Sequence, residues 1–292
     1  MTRIVESLAE ISAPYDALFC DLWGCVHNGV TPFPEAVAAL RAFRASGPGK
    51  RVILLTNSPR MGEAVAVSLD RMGLPRDAWD DIATSGDTAR PAMFRGLVGR
   101  KVWVIGEPGD APFFEPMPEL SGAVEIERVA LEEAEGIVCI GPFDPLAEPD
   151  TLRPQLLLAK QRGLKLLCAN PDLFSLRAGE RIWCAGTVAA LYEDMGGTSL
   201  WFGKPQPGIY DLARQRLAEA GGSTDPARIL AIGDGIGTDI KGALGEDIDS
   251  LFITGGIAAR ETGTTRQPDP DKLARFAEAA MVTPTFAAGF LR

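Results

Sequence analysis

The chain has 292 residues, more than one compact domain usually holds, so two units, or one unit with a large insert, are expected. Its 46% hydrophobic and 23% charged residues are typical of a globular chain. A net charge of −10 without any basic run opposes binding to nucleic acid or anionic lipid.

No apolar stretch reaches the length of a membrane span. Met1 to Ala13 interleave Arg3, Glu6 and Glu10 with apolar positions, unlike a signal peptide. The five cysteines, Cys20, Cys25, Cys139, Cys168 and Cys184, form no Cys-x-x-Cys pair. They are expected as reduced, mostly buried thiols of a cytoplasmic protein.

Ala17-Leu-Phe-Cys20 reads as a buried strand that runs into Asp21-Leu-Trp23-Gly24. A carboxylate just past such a strand, followed by glycines that turn the chain away, is how an open α/β sheet presents a reactive group at its carboxyl edge. Pro34 to Ser46 then places Val37, Leu40 and Phe43 on one helical face, with Pro34 in the first turn and Gly47 as a stop. Arg51 to Ser58 is an apolar, β-branched run that turns polar at Thr56-Asn57, as expected of a strand buried on both faces.

Met61 to Met72 predicts a helix, Asp81 to Thr84 a strand and Thr88 to Leu97 a helix. This alternation implies right-handed crossovers and a mainly parallel sheet. From Gly99 the pattern restarts. Strands are expected at 101–105, 136–140 and 164–168, a helix at 151–161, and a proline-rich irregular stretch at 108–118. Glycine-rich breaks near Gly99 and at Gly196-Gly197-Thr198 mark the expected boundaries. They give a core of 1–98 and 198–292 around an inserted α/β unit of 99–197. The core resumes with Gly203-Lys204-Pro205, a helix at 207–220, and a strand at 228–232 leading into Gly233-Asp234-Gly-Ile-Gly-Thr-Asp239. A helix to about 244, a strand at 251–254 and a helix at 271–280 follow. The breaker-rich 263–269 segment reads as a mobile surface loop.

Four polar groups thus stand at strand ends: Asp21, Thr56-Asn57, Lys204, and Asp234 with Asp239. In a parallel sheet all carboxyl ends share one edge, so these groups meet in one crevice. Converging carboxylates repel unless a cation joins them, and an all-oxygen acidic site favours Mg²⁺. A hydroxyl, an amide and an ammonium beside it make a receptor for a phosphoryl dianion.

Taken together, these residues resemble the haloacid dehalogenase superfamily, made mostly of phosphatases with an aspartate nucleophile. Asp21 matches its first motif, Thr56-Asn57 the second, Lys204 in Phe-Gly-Lys-Pro the third, and Asp234 with Asp239 the fourth. The insert, with Ala-Asn-Pro-Asp at 169–172 and Gly186 before a helix, is similar to the large α/β cap of the NagD-like branch. The resemblance implies a Rossmann-like core with an inserted cap. It also implies a Mg²⁺-dependent hydrolase of a small phosphorylated metabolite, such as a sugar phosphate or nucleotide, through an aspartyl-phosphate. Asp21 would be the nucleophile, and Thr56, the Asn57 amide and Lys204 would hold the phosphoryl group. Asp21, the Trp23 backbone carbonyl, Asp234 and Asp239 would serve the metal, with Asp239 orienting Lys204 or a metal-bound water. The branch often dimerises through its cap, which allows a homodimer. Asn170, Asp172 and Arg177 in the cap are expected as capping or surface contacts.

One position departs from the family pattern. Trp23 stands where a second Asp usually acts as general acid and base, a function typically worth about 10²–10⁴ in rate. An indole N–H donates a hydrogen bond but exchanges no proton near neutral pH. His27, the only histidine, is the candidate replacement, against a local hydrogen-bonding role in its loop. Two other classes stay open: a silent binder of a phosphorylated ligand, and a dehalogenase. The retained Asp234 and Asp239 argue against the dehalogenase.

Overall fold

A computed structural model describes residues 2–177 and 180–292, and of Arg177 the backbone only. Seven strands form one parallel sheet, in the order Arg3–Ile4, Phe286–Ala288, Asp249–Ile253, Ile229–Gly233, Ala17–Cys20, Arg51–Thr56 and Asp81–Thr84. Period-two alternation divides its side chains between two layers. Leu18, Cys20, Val52, Leu54, Leu230 and Ile232 pack with Leu40 and Phe43 of helix Pro34–Ala45 and Leu69 of helix Gly62–Met72. Ala17, Phe19, Ile53, Leu55, Ile229 and Ala231 pack with Ile209, Tyr210, Ala213 and Leu217 of helix Pro207–Glu219. Burial on both faces is why these strands read as continuous apolar runs.

A second parallel sheet has the order Thr198–Trp201, Lys165–Cys168, Gly136–Cys139, Lys101–Ile105, Glu127–Arg128. It packs with helices Arg153–Gln161 and Ala185–Asp194 around Leu156, Ala159, Val188 and Tyr192. An antiparallel hairpin, Phe174–Arg177 with Glu180–Trp183, stands outside both sheets.

The expected boundary at Gly196-Gly197-Thr198 falls within the second sheet's unit. Thr198–Trp201 pairs in register with Lys165–Cys168, so the chain returns to the first sheet only after Trp201. Gly196 takes φ +83° and ends helix Ala185–Asp194 inside the insert, so the glycine pair marks a helix stop rather than a domain edge. At the other side, helix Ser85–Phe94 was counted with the core. Its Ala89, Met93 and Phe94 share a cluster with Val102, Val138 and Leu167 of the cap sheet, while its Gly86 amide donates to the core Ser58 carbonyl at 3.1 Å, so the helix touches both units.

The 263–269 loop lies at the surface and is anchored by two of its side chains. Gln267 donates to the Val5 carbonyl at 2.9 Å and accepts from the Gly289 amide at 2.7 Å. Thr264 donates to Thr254 at 2.8 Å. Thr265, Arg266 and Asp269 of the same loop are exposed. All five cysteines are free and buried. Among the described residues, no helix is long and apolar enough to cross a membrane.

Candidate active site

Asp21, Thr56 and Asp234 follow three adjacent parallel strands, and Lys204 enters on the loop between Thr198–Trp201 and helix Pro207–Glu219. Lys204 is 2% exposed. Its Nζ donates to Asp21 Oδ1 at 2.6 Å, to Asp239 Oδ1 at 2.7 Å and to the Leu55 carbonyl at 2.8 Å, which uses all three of its protons. Burial alone would lower its pKa; the charges of Asp21, Asp239 and Asp172 reverse this and hold it well above the usual lysine range. The ammonium is fixed and charged.

The carboxylates outnumber it. Burial raises the pKa of Asp21, against the pull of Lys204. Asp234 is raised well above the carboxylate range by burial and then by the charges of Asp21 and Asp239. Ligand atoms of Asp21, Asp234 and Cys25 lie within 4.8 Å of one another. Asp234 accepts one hydrogen bond, from the Ile257 amide at 3.1 Å.

Two glycines make room for this carboxylate. A Cβ at Gly24, whose φ is +79°, would stand 2.1 Å from Asp234 Oδ2, and one at Gly256 would stand 1.9 Å from it. Two buried carboxylates facing each other, with too few protein donors, are the donor set of a hard cation. Burial raises the Cys25 thiol well above its usual range, so it stays protonated and leaves the oxygens as ligands.

Asp239, expected with the metal ligands, has other partners. Its Oδ1 takes Lys204, and its Oδ2 takes the Gly235 amide at 3.0 Å. It sits in a single wide π turn, Ile236–Ile240, a form of helix distortion that recurs at functional sites. Of the two roles expected for it, these bonds match orienting Lys204.

The Asn57 side chain has structural partners, and its backbone amide donates to no protein group among the described residues. Its side chain braces two loops, accepting from the Lys204 amide at 2.7 Å and donating to Asp172 at 2.8 Å, and it does not line the cavity. Thr56 does line it. Its Oγ1 accepts from the Ser58 amide at 3.2 Å, which leaves the hydroxyl proton to donate.

Above these groups lies a cavity of about 400 Å³ between the two sheets. Core residues Asp21, Trp23, Thr56 and Lys204 form its floor, while Asn170, Asp172, Phe174 and Trp183 come from the insert. Asp172, expected as a surface or capping residue, is thus part of the site, and burial raises its pKa. Asn170 accepts from the Asp172 amide at 3.0 Å, a local turn that aims Asp172 inward. Arg60 also lines the cavity; it follows the second strand-end cluster and carried no motif signal. The Arg177 side chain lies outside what the structure describes.

His27 takes the local role. Its Nδ1 accepts from the Gly29 amide at 3.0 Å, and burial lowers its pKa to about 4. A neutral, committed imidazole is no reservoir of protons at neutral pH.

A parallel α/β core, an inserted cap and a buried Asp–Lys–Asp chain at the base of a cavity between them define a capped α/β hydrolase. The chain belongs to the haloacid dehalogenase-like hydrolase family. A crystallised hydrolase of that family from Brucella suis is 36% identical, covering 99% of this chain and 100% of that one with a TM-score of 0.85. The model for haloacid dehalogenase-like hydrolases matches residues 18–117, and a further HAD-hydrolase-like model matches 201–279. D-glycerol 3-phosphate phosphatase of Mycobacterium tuberculosis is 26% identical over 258 residues, 86% of this chain and 66% of that protein. A structure of a glycerol phosphate phosphatase from that organism in complex with magnesium has a TM-score of 0.63 at 22% identity. It covers 99% of this chain and 78% of that one.

Proposed function

We propose that this protein is a Mg²⁺-dependent phosphoric monoester hydrolase acting on a small phosphorylated metabolite. One observation carries the reading: Lys204 Nζ bridges Asp21 and Asp239 at 2.6 and 2.7 Å on the floor of a cavity lined by both units. This fixes one oxygen of Asp21 and leaves the other to attack.

An Asp21 oxygen attacks phosphorus and the bond from phosphorus to the leaving oxygen breaks, giving an aspartyl-phosphate. Water then cleaves the acyl phosphate and restores the carboxylate. Lys204 offsets charge on the nucleophile and the transferred group, and the Thr56 hydroxyl donates to a phosphoryl oxygen. Asp21 and Asp234 would hold the cation, together with the Trp23 carbonyl, which meets no protein donor among the described residues. The cation supplies charge neutralisation and orientation of the phosphoryl group. The cap excludes bulk water, which strengthens each of these contacts.

Neither Trp23 nor His27 supplies a proton to the leaving group. Aryl and other activated phosphates are therefore the favoured probes. Hydrolysis of p-nitrophenyl phosphate that requires Mg²⁺ and is abolished by Asp21→Asn supports the proposal. Thermal stabilisation by phosphorylated ligands without turnover would make the protein a binder instead.

A further inference from the structure

The indole at position 23 has a partner far away in sequence. Trp23 Nε1 donates to the Leu176 carbonyl at 2.8 Å, a hydrogen bond from the nucleophile loop to the cap hairpin. The ring has a fitted seat. Gly29, at φ +84°, passes so close that a Cβ there would lie 2.4 Å from the indole, and His27 meets the ring edge-on at 5.3 Å between centroids.

The hairpin needs such an anchor. A lone two-stranded ribbon is marginally stable in water, and this one pairs only with itself. Its other backbone bonds lie at its base and inside the cap, from the Trp183 amide to the Pro145 carbonyl at 2.9 Å and from the Cys184 amide to the Leu173 carbonyl at 3.0 Å. Among the described residues, the Trp23 bond is the one hydrogen bond that joins the hairpin to the core. Phe174, Ser175, Ile182 and Trp183 of the same hairpin line the cavity opposite Asp21.

We propose that Trp23 is a positioning residue that pins the Phe174–Trp183 hairpin over the nucleophile and so sets the wall against which the leaving group packs. The chemistry explains why an aspartate cannot share this role. An ionised carboxylate only accepts hydrogen bonds, and so does the Leu176 carbonyl. An ionised aspartate at this position gives up the latch, and the tryptophan that makes the latch transfers no proton near neutral pH. The latch rests on the phosphatase reading only for its effect on catalysis.

The test compares the wild type with Trp23→Phe, which keeps an aromatic ring and removes the donor. Hydrogen–deuterium exchange of the amides at 174–177 and 180–183 is expected to speed up by about fivefold, the equivalent of one lost hydrogen bond. Exchange in the Arg51–Thr56 strand is expected to stay as it was. KM for p-nitrophenyl phosphate is expected to rise by a larger factor than kcat falls, and Trp23→Asp, which also lacks the donor, is expected to loosen the hairpin equally. Unchanged exchange overturns the latch, and faster exchange with unchanged KM overturns its role at the substrate. Loss of cooperative folding in Trp23→Phe also overturns it, because it would place the indole in core packing. A wild type without turnover removes the phosphatase reading, while the exchange result still decides the latch.

Discussion

At the scale of single residues, burial and hydrogen bonding separate groups that look equivalent in sequence. His27 is 4% exposed, and its imidazole is held neutral, with its pKa lowered from 6.5 to about 4 by burial. The unfolded chain binds a proton on this residue below about pH 6.5, whereas the folded chain does so only near pH 4. The stability linked to His27 is therefore complete above the higher value and is lost as pH falls through that window, by about 3 kcal/mol in full. Asp21, Asp234 and Asp172 titrate in the opposite sense, since burial raises them and protonation favours the fold. The informative quantity is thus the difference between wild type and His27→Gln in urea unfolding. It is expected to shift by about 3 kcal/mol in favour of the variant between neutral pH and pH 4; parallel pH profiles would show that burial does not hold the imidazole neutral.

Among the elements, those with strong periodicity or buried runs were legible and those fixed by tertiary pairing were not. Arg51–Thr56 and Asp81–Thr84 lie where apolar runs placed them. Thr198–Trp201 reads as a boundary because a short strand after two glycines declares itself only through its partner, Lys165–Cys168. The Phe174–Trp183 hairpin likewise lacks an apolar run, being half polar with Arg181 stacked over Phe174 at 4.7 Å. In the site, Asp21, Thr56, Lys204 and Asp234 were legible as strand-end groups, whereas the roles of Asn57 and Asp172 depend on their contact across domains.

The Ser85–Phe94 helix starts three residues earlier than its apolar pattern because Thr84 and Asp87 form a reciprocal capping box, at 2.9 and 3.3 Å. Thr84→Ala removes half of it. It is expected to cost about 1 kcal/mol, read as a lower urea midpoint at constant slope; an unchanged midpoint would mean the packing of Met93 and Phe94 alone sets the helix start.

At the scale of the whole molecule, two separately cored units enclose one acid-rich cavity, and its electrostatics tie stability to ligand. Without a cation, Asp234 and Asp21 oppose each other in a buried setting. Asp234→Asn, which keeps an oxygen for the Ile257 amide, is expected to raise the thermal midpoint of the metal-free protein. It is also expected to abolish the Mg²⁺ stabilisation of the wild type, which should reach about 2.7 kcal/mol at a hundredfold excess over Kd. Equal Mg²⁺ shifts in both proteins would place the cation elsewhere.

In the proposed reaction Asp21 carries the phosphoryl group. Acid-quenched mass spectrometry of the protein turning over p-nitrophenyl phosphate with Mg²⁺ tests it most directly. One phosphoryl group is expected on the peptide that contains Asp21, and none in Asp21→Asn; steady turnover with no phosphorylated Asp21, or full activity in that variant, would contradict this role for Asp21.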